Sequence, residues 1–404
     1  DAAGRLLSLR NALGYTTNYR HDRWGRLREI TDPEGRRTTY DYETTTDNPR
    51  GSISKISYPD GGEETFAYDS EGQIKSHHKE EGQTTKYEHG AFDLLQKITD
   101  PRGFTTKLDY DKAARLKTVT NAAGQTWHYG YNLAGQLTTE TDWAKRQTVY
   151  KRDALGRILN KRLPDQTEQT FTWDNQDRII AVDTQNQRIV YAYDDSDRLL
   201  QAITWKKEDT QSHRETELHF TYDAKGRLIK EIQNGISIDY QYDPAERLIS
   251  RTSPTGKTAY TFDILGQLKN VSTNGHTLAF ARNALGLETQ RQYQKTTDTN
   301  DESALLSAFA LKQSYDPCGR LKTQEAGAYR AIKSTSPYER MAAITRRYNW
   351  DKSGRLIGVK DNKRGASAYM YDPRDQVNAI TRTFGLNKQK EEKYGYDALM
   401  NIST

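Results

Sequence analysis

The chain has 404 residues, with 60 Lys and Arg against 55 Asp and Glu, and 34% of it is hydrophobic. With a mean hydropathy of −0.98, it falls well below the near-half apolar content with which a globule fills one thick core. Its 26 Tyr, 9 Phe and 6 Trp exclude the aromatic-poor composition of disordered chains, and its interleaved charges lack the concentrated basic face of a nucleic-acid binder.

The chain opens at Asp1 inside a repeat. An Asp or Asn then recurs at 22, 48, 69, 111, 132, 153, 174, 194, 223, 243, 263, 283, 316, 351, 372 and 397, with Gly90 in the place of one more. The step is 21 residues from 48 to 174 and often 20 thereafter. Length alone suggests two or three domains. The fixed period predicts instead one continuous array over 1–404, of about 18 units. The fullest copies are Tyr222-Asp223-Ala224-Lys225-Gly226-Arg227-Leu228, Tyr315-Asp316-Pro317-Cys318-Gly319-Arg320-Leu321 and Trp350-Asp351-Lys352-Ser353-Gly354-Arg355-Leu356.

Asp followed three residues later by Gly suits a type I turn closed by a left-handed residue. A second turn of similar make sits halfway through many units, as in Asp32-Pro33-Glu34-Gly35, Asp100-Pro101-Arg102-Gly103 and Asn121-Ala122-Ala123-Gly124. Two turns per unit leave strands of about six residues, the usual length. The expected fold is therefore all-β, a succession of antiparallel hairpins.

Strand faces follow from the aromatics. Three residues before the Asp stands an aromatic in nearly every unit (Tyr19, Phe66, Tyr87, Tyr129, Phe171, Tyr240 and Tyr369 among them), often with a second just before the Asp, as in Tyr129/Tyr131 and Tyr240/Tyr242. A spacing of two places both rings on one face. Beyond the turn, Leu or Ile five places after the Asp is followed three further on by Ile or Val, as in Leu27/Ile30 and Leu116/Val119. That odd spacing predicts a β-bulge or apolar groups on both faces.

The rhythm widens near 42–49, 206–217, 294–303 and 324–347, in segments rich in Thr, Lys, Asp, Glu and Ser. These read as surface loops on hairpin ends, with a helical turn near Ser336–Met341. No apolar run approaches the roughly 18 residues of a membrane helix. Both chain ends look cut from inside a longer protein, so targeting signals are not legible.

A search for catalytic chemistry yields no catalytic, cofactor-binding or metal-ligating residue. Cys318 is the single cysteine and occupies a turn position, which leaves no disulfide or zinc framework. His77-His78 is an adjacent pair, unsuited to one metal. Gly256-Lys257-Thr258 imitates the end of a phosphate loop, yet Arg251 stands where the first Gly of that loop belongs. The Arg after each turn Gly reads as a ladder facing the turn carboxylates.

The Tyr-Asp-x-x-Gly-Arg-Leu phrase near period 21, with its Asp-Pro-x-Gly half-turn, resembles the YD repeats of the Rhs family. The same repeats occur in the C components of Tc toxins and in teneurins. The resemblance covers essentially the whole chain. It implies a spiral of hairpins forming part of a large hollow β-cocoon that encloses a C-terminal toxin domain. In bacterial members the shell ends in an Asp-Pro-x-Gly-Leu-type motif where aspartates release the toxin. Asp316-Pro317-Cys318-Gly319-Arg320 lacks that Leu, so protease and toxin are expected beyond Thr404. The resemblance further implies a secreted protein, an N-terminal plug or delivery domain, and secretion machinery of type VI or another kind. It implies no enzyme, cofactor, nucleic-acid partner or membrane insertion in this stretch. The alternatives are a Tyr- and Trp-rich carbohydrate- or cell-surface-binding adhesion sheet, or an enzyme built from lumenal carboxylates.

Overall fold

The computed structural model describes all residues except 45–47, 49–50, 81, 209–211, 296–307, 332–337, 341–343, 386–387 and 404. The chain divides into two compact units. One is Asp1–Lys107 with Thr261–Thr404, and the other is Leu108–Tyr260.

In the second unit every strand from Leu116–Thr120 to Leu248–Ser253 pairs antiparallel with its successor. The first unit contains two further meanders, one from Ser8–Arg10 to Leu95–Thr99 and one from Leu268–Thr273 to Lys388–Lys393, the second branching where Leu321–Ala331 pairs with both Tyr338–Arg340 and Ile344–Trp350. The one helical element among the described residues is a single 3-10 turn, Ala91–Asp93. It falls where Gly90 replaces the turn Asp, and there Phe92 and Asp93 take φ of 60° and 57°.

The predicted turn is present. In the Asp223 unit the Gly226 N–H donates to the Asp223 carbonyl and the Asp223 N–H to the Arg227 carbonyl, both at 2.9 Å, with Gly226 at φ 83°. The shortening of the step from 21 to 20 residues has a local cause. Between Asp223 and Asp243 the half-turn contracts to Asn234-Gly235, at φ 47° and 83°, between Gln233 and its pairing partner Ile236. Two consecutive left-handed residues of this kind make the tight hairpin loop that Asn-Gly favours.

The odd Leu/Ile spacing resolves as a bulge. Tyr131 pairs with Leu137 but Gly130 with Thr139, so Thr138 is the extra residue. Leu and the residue three further on thereby return to one face, and Ile or Val comes to lie opposite the aromatic, as in Tyr19↔Ile30, Phe171↔Val182 and Tyr369↔Ile380. Such cross-strand pairs, each worth about 0.2–1 kcal/mol, take the place of a deep core. Among the described residues the buried hydrophobic side chains are Tyr68, Ala181, Ala310 and Ala379, and no large side chain is fully buried.

The expected loop near 206–217 is mostly strand. Leu199–Lys207 and Ser212–Tyr222 pair from Gln201↔His219 to Lys207↔Ser212, so the added residues lengthen a hairpin ladder. The helical turn expected near Ser336–Met341 does not form over Tyr338–Arg340, a strand paired with Leu321–Ala331; residues 336, 337 and 341 lie outside the described residues. Residues 45–47 and 49 of the 42–49 widening and residues 296–303 of the 294–303 widening also lie outside them.

Candidate functional site: a repeat latch and an edge seam

Each residue of the repeated phrase has a task. Asp223 Oδ1 accepts the N–H groups of Lys225 and Arg227 at 2.9 Å each, and its Oδ2 accepts Arg227 Nε at 2.7 Å. These donors, the Arg227 N–H first, hold its carboxyl below the usual value. Arg227 also reaches the next unit, donating Nη1 to the Asp243 carbonyl at 3.4 Å and stacking 5.0 Å from the Tyr242 ring centre. Tyr242 answers by donating its hydroxyl to the Leu228 carbonyl at 2.8 Å.

The same exchange recurs in units where the aromatic is Trp. Trp173 donates Nε1 to the Ile158 carbonyl and Trp350 to the Leu321 carbonyl, both at 2.8 Å. Arg157 and Arg320 bond the Asp174 and Asp351 carbonyls at 3.2 and 3.0 Å. The phrase is thus a latch between consecutive hairpins. The Arg ladder read from the sequence is present, with each Arg held first by the carboxylate of its own turn.

The second arrangement lies within the unit of 1–107 and 261–404. Half-turn tips of the first meander meet full-turn tips of the second, 249 to 292 residues apart in sequence. Asn283 donates to Glu34 at 2.6 Å and Arg36 to the Asp316 carbonyl at 2.9 Å. Arg320 pairs with Asp60 at 2.7 Å, Lys352 with Glu80 at 3.7 Å, and Gln83 donates to Asp375. Arg102 pairs with Asp372 at 3.2 Å and Arg374 with Asp100 at 3.6 Å. Burial pushes the Asp60 carboxyl up, but the Gly62 N–H, the Cys318 thiol and the Arg320 guanidinium outweigh it and hold it low.

The residues singled out for chemistry are absorbed by this framework. Cys318 lies in the seam against Asp60, where partial burial raises its thiol pKa, the opposite of an activated nucleophile. His77 shares a hydrogen bond with Glu64 at 2.8 Å and stacks on Phe66, while His78 bonds Thr84 at 2.7 Å. Gly256-Lys257-Thr258 begins the strand Gly256–Phe262. Among the described residues no three His, Cys, Asp or Glu are grouped to hold a metal ion, and no helix is long and apolar enough to cross a membrane. The seam was missed from sequence, because its partners share no local signal.

A hairpin array with this latch defines a repeat-shell architecture. Residues 132–262 match the teneurin YD-shell family, and residues 1–36, 21–63, 68–105 and 110–147 match the RHS repeat. The chain belongs to the Rhs/YD-repeat family. It is 25% identical to double-stranded DNA deaminase toxin A of Burkholderia cenocepacia (strain H111), over 100% of this chain and 27% of that protein. The fold is that of the crystal structure of TcdB2-TccC3-TEV, with a TM-score of 0.75 at 12% identity over 96% of this chain and 22% of that one. It is also that of TcdB2-TccC3 without its hypervariable C-terminal region, with a TM-score of 0.61 at 14% identity over 96% and 25%. The chain therefore spans about a quarter of these relatives.

Proposed function

We propose that this stretch is a length of wall in a secreted bacterial toxin's shell, and that the shell encloses a C-terminal toxin domain of the same protein until delivery. The observation that carries the reading is the seam: the chain returns after 249 to 292 residues to stack, turn tip on turn tip, against its own beginning. Turn tips stacked in this way hold two passes of the chain edge to edge, which is what the wall of an enclosing shell requires. In this reading 1–404 acts as one continuous array. The wall itself is not an enzyme, and the partners are the enclosed toxin, a plug or delivery domain, and secretion machinery such as a type VI apparatus used in competition between bacteria.

Electron microscopy of the full-length protein tests this. A hollow particle with internal density is the expected result, and an open array without enclosed volume overturns it. The adhesion alternative draws less support. Trp173 and Trp350 serve the latch, Trp127 packs edge-on against Trp143, and Trp24 is capped by Arg23 at 3.9 Å.

A further inference from the structure

Two kinds of force hold the unit of 1–107 and 261–404. Neighbouring strands share backbone ladders: Ala308–Tyr315 and Leu321–Ala331 pair without a gap from Ala308↔Tyr329 to Ser314↔Thr323. The seam has no such ladder. Among the described residues every hydrogen bond that crosses it uses a side chain, mostly a charged one. It is also imperfectly satisfied. Gln83 Oε1 and Arg374 Nε are buried there without a hydrogen-bond partner. Arg102 and Arg374, two like charges, both lie over the Phe104 ring, at 5.4 and 5.0 Å, and Asp372 and Asp100 offset their repulsion.

We propose that this seam is the line along which the wall parts: the two edges separate by breaking the Arg36, Asp60, Glu80, Asp100, Asp372 and Asp375 contacts, while each meander keeps its strand ladder. The inference deepens the shell reading and rests on it for its purpose, but the physical distinction is independent of what is enclosed. Contacts between charges weaken with salt, the exposed Lys352–Glu80 pair most and the better buried Arg320–Asp60 and Arg374–Asp100 pairs less, since the screening length falls from about 10 Å at 0.1 M to about 3 Å at 1 M. Ladder bonds between neutral amides carry no net charge for salt to screen.

The test uses the full-length protein with Cys318→Ser and a pair of nitroxide labels at Arg37→Cys and Lys322→Cys. Both positions are exposed; Arg37 adjoins Arg36, which bonds the Asp316 carbonyl, and Lys322 lies two residues beyond Arg320, which pairs with Asp60. A control pair at Lys312→Cys and Lys322→Cys sits on paired strands of one meander. Pulsed electron spin resonance should show the seam distance shifting to longer values as salt rises from about 0.1 to 1 M, with the control distance fixed. Asp60→Asn keeps an acceptor for the Gly62 N–H but loses the charge facing Arg320, and should move the shift to lower salt. Seam and control lengthening together, or neither moving, overturns the proposal. A solid particle in electron microscopy would remove the shell reading and leave this result standing.

Discussion

The Tyr242 hydroxyl donates to the Leu228 carbonyl at 2.8 Å, and with that bond the aromatic of one unit fastens the turn exit of the unit before it. Leu228 pairs in the ladder with Tyr222 on its other side. The Tyr, the Asp and the Arg of the phrase therefore form one circuit through two hairpins.

Tyr242→Phe should lower stability by about 0.5–1.5 kcal/mol, the net worth of such a bond, because the Leu228 carbonyl then loses its donor. Tyr242→Trp should recover most of it, since Trp173 and Trp350 make the same bond with Nε1 at 2.8 Å. Urea midpoints of the three proteins measure this. Equal midpoints for Phe and Tyr would remove the latch from the account of stability.

Gly226 stands at φ 83°, and the Cβ that a substitution adds would meet nothing nearer than Arg198 Nη1 at 3.6 Å. The cost of Gly226→Val is then backbone strain rather than collision, about 1–3 kcal/mol. Glu246 occupies the equivalent place at φ 66° without being glycine, so Glu246→Gly should stabilise by about 1 kcal/mol. Thermal unfolding and protease resistance should move in opposite directions for the two variants.

Much of this was legible in the sequence because it is local. The period fixed the hairpins, the Asp-x-x-Gly spacing fixed the turns, and the odd Leu27/Ile30 spacing left a bulge or apolar groups on both faces, of which the bulge is present. The destination of the Tyr hydroxyl was hidden, since its acceptor is a backbone carbonyl that every residue owns. The pairing of Asp60 with Arg320 was hidden for another reason. Both residues already have a reading inside their own turns, and which turn faces which depends on the number of units between them. The extended hairpin at 199–222 was misread because Thr, Lys and Glu suit a wet strand as well as a loop.

Acid should weaken the array in a defined window. The turn carboxylates of Asp111, Asp142, Asp174, Asp194, Asp223 and Asp243 are held below the ordinary value of 3.8 by Arg and backbone donors. Asp361 is drawn to about 2, chiefly by Arg346. A depressed folded-state value contributes stability that is present above the unfolded value and lost as pH falls through the folded one. Melting temperature should therefore hold down to about pH 4 and fall below it, and Asp361→Asn should flatten the part of the slope nearest pH 2. At the alkaline end Tyr150 is raised to about 12, by partial burial first and then by its bond to Glu140. Its contribution is present below pH 10 and lost as pH rises toward 12. Tyr150→Phe should remove that alkaline loss. A melting temperature that falls equally in the variant between those limits would show that the phenol does not carry it.

Gly62 tests the seam by shape rather than charge. It needs no left-handed backbone, since its φ is not among the positive ones. A Cβ there would sit 2.6 Å from the Lys352 carbonyl oxygen on the opposing edge. That atom belongs to the backbone of a turn held by the Asp351–Arg355 contacts at 2.6 and 2.9 Å, so it yields only if the edges move apart. Gly62→Ala should therefore cost about 1–3 kcal/mol, the range for an overpacked contact. Gly82→Ala is not a usable control, because its φ of 79° adds strain of its own. Gly358→Ala serves better, because its nearest contact is an ordinary 3.6 Å and it lies in the interior of one meander. Hydrogen exchange of the full-length protein should then show Gly62→Ala loosening the segments around 58–64 and 351–355 together, two regions nearly 300 residues apart in sequence. Gly358→Ala should change only its own strand neighbours. If Gly62→Ala disturbs 58–64 alone, the two edges are not in contact in solution.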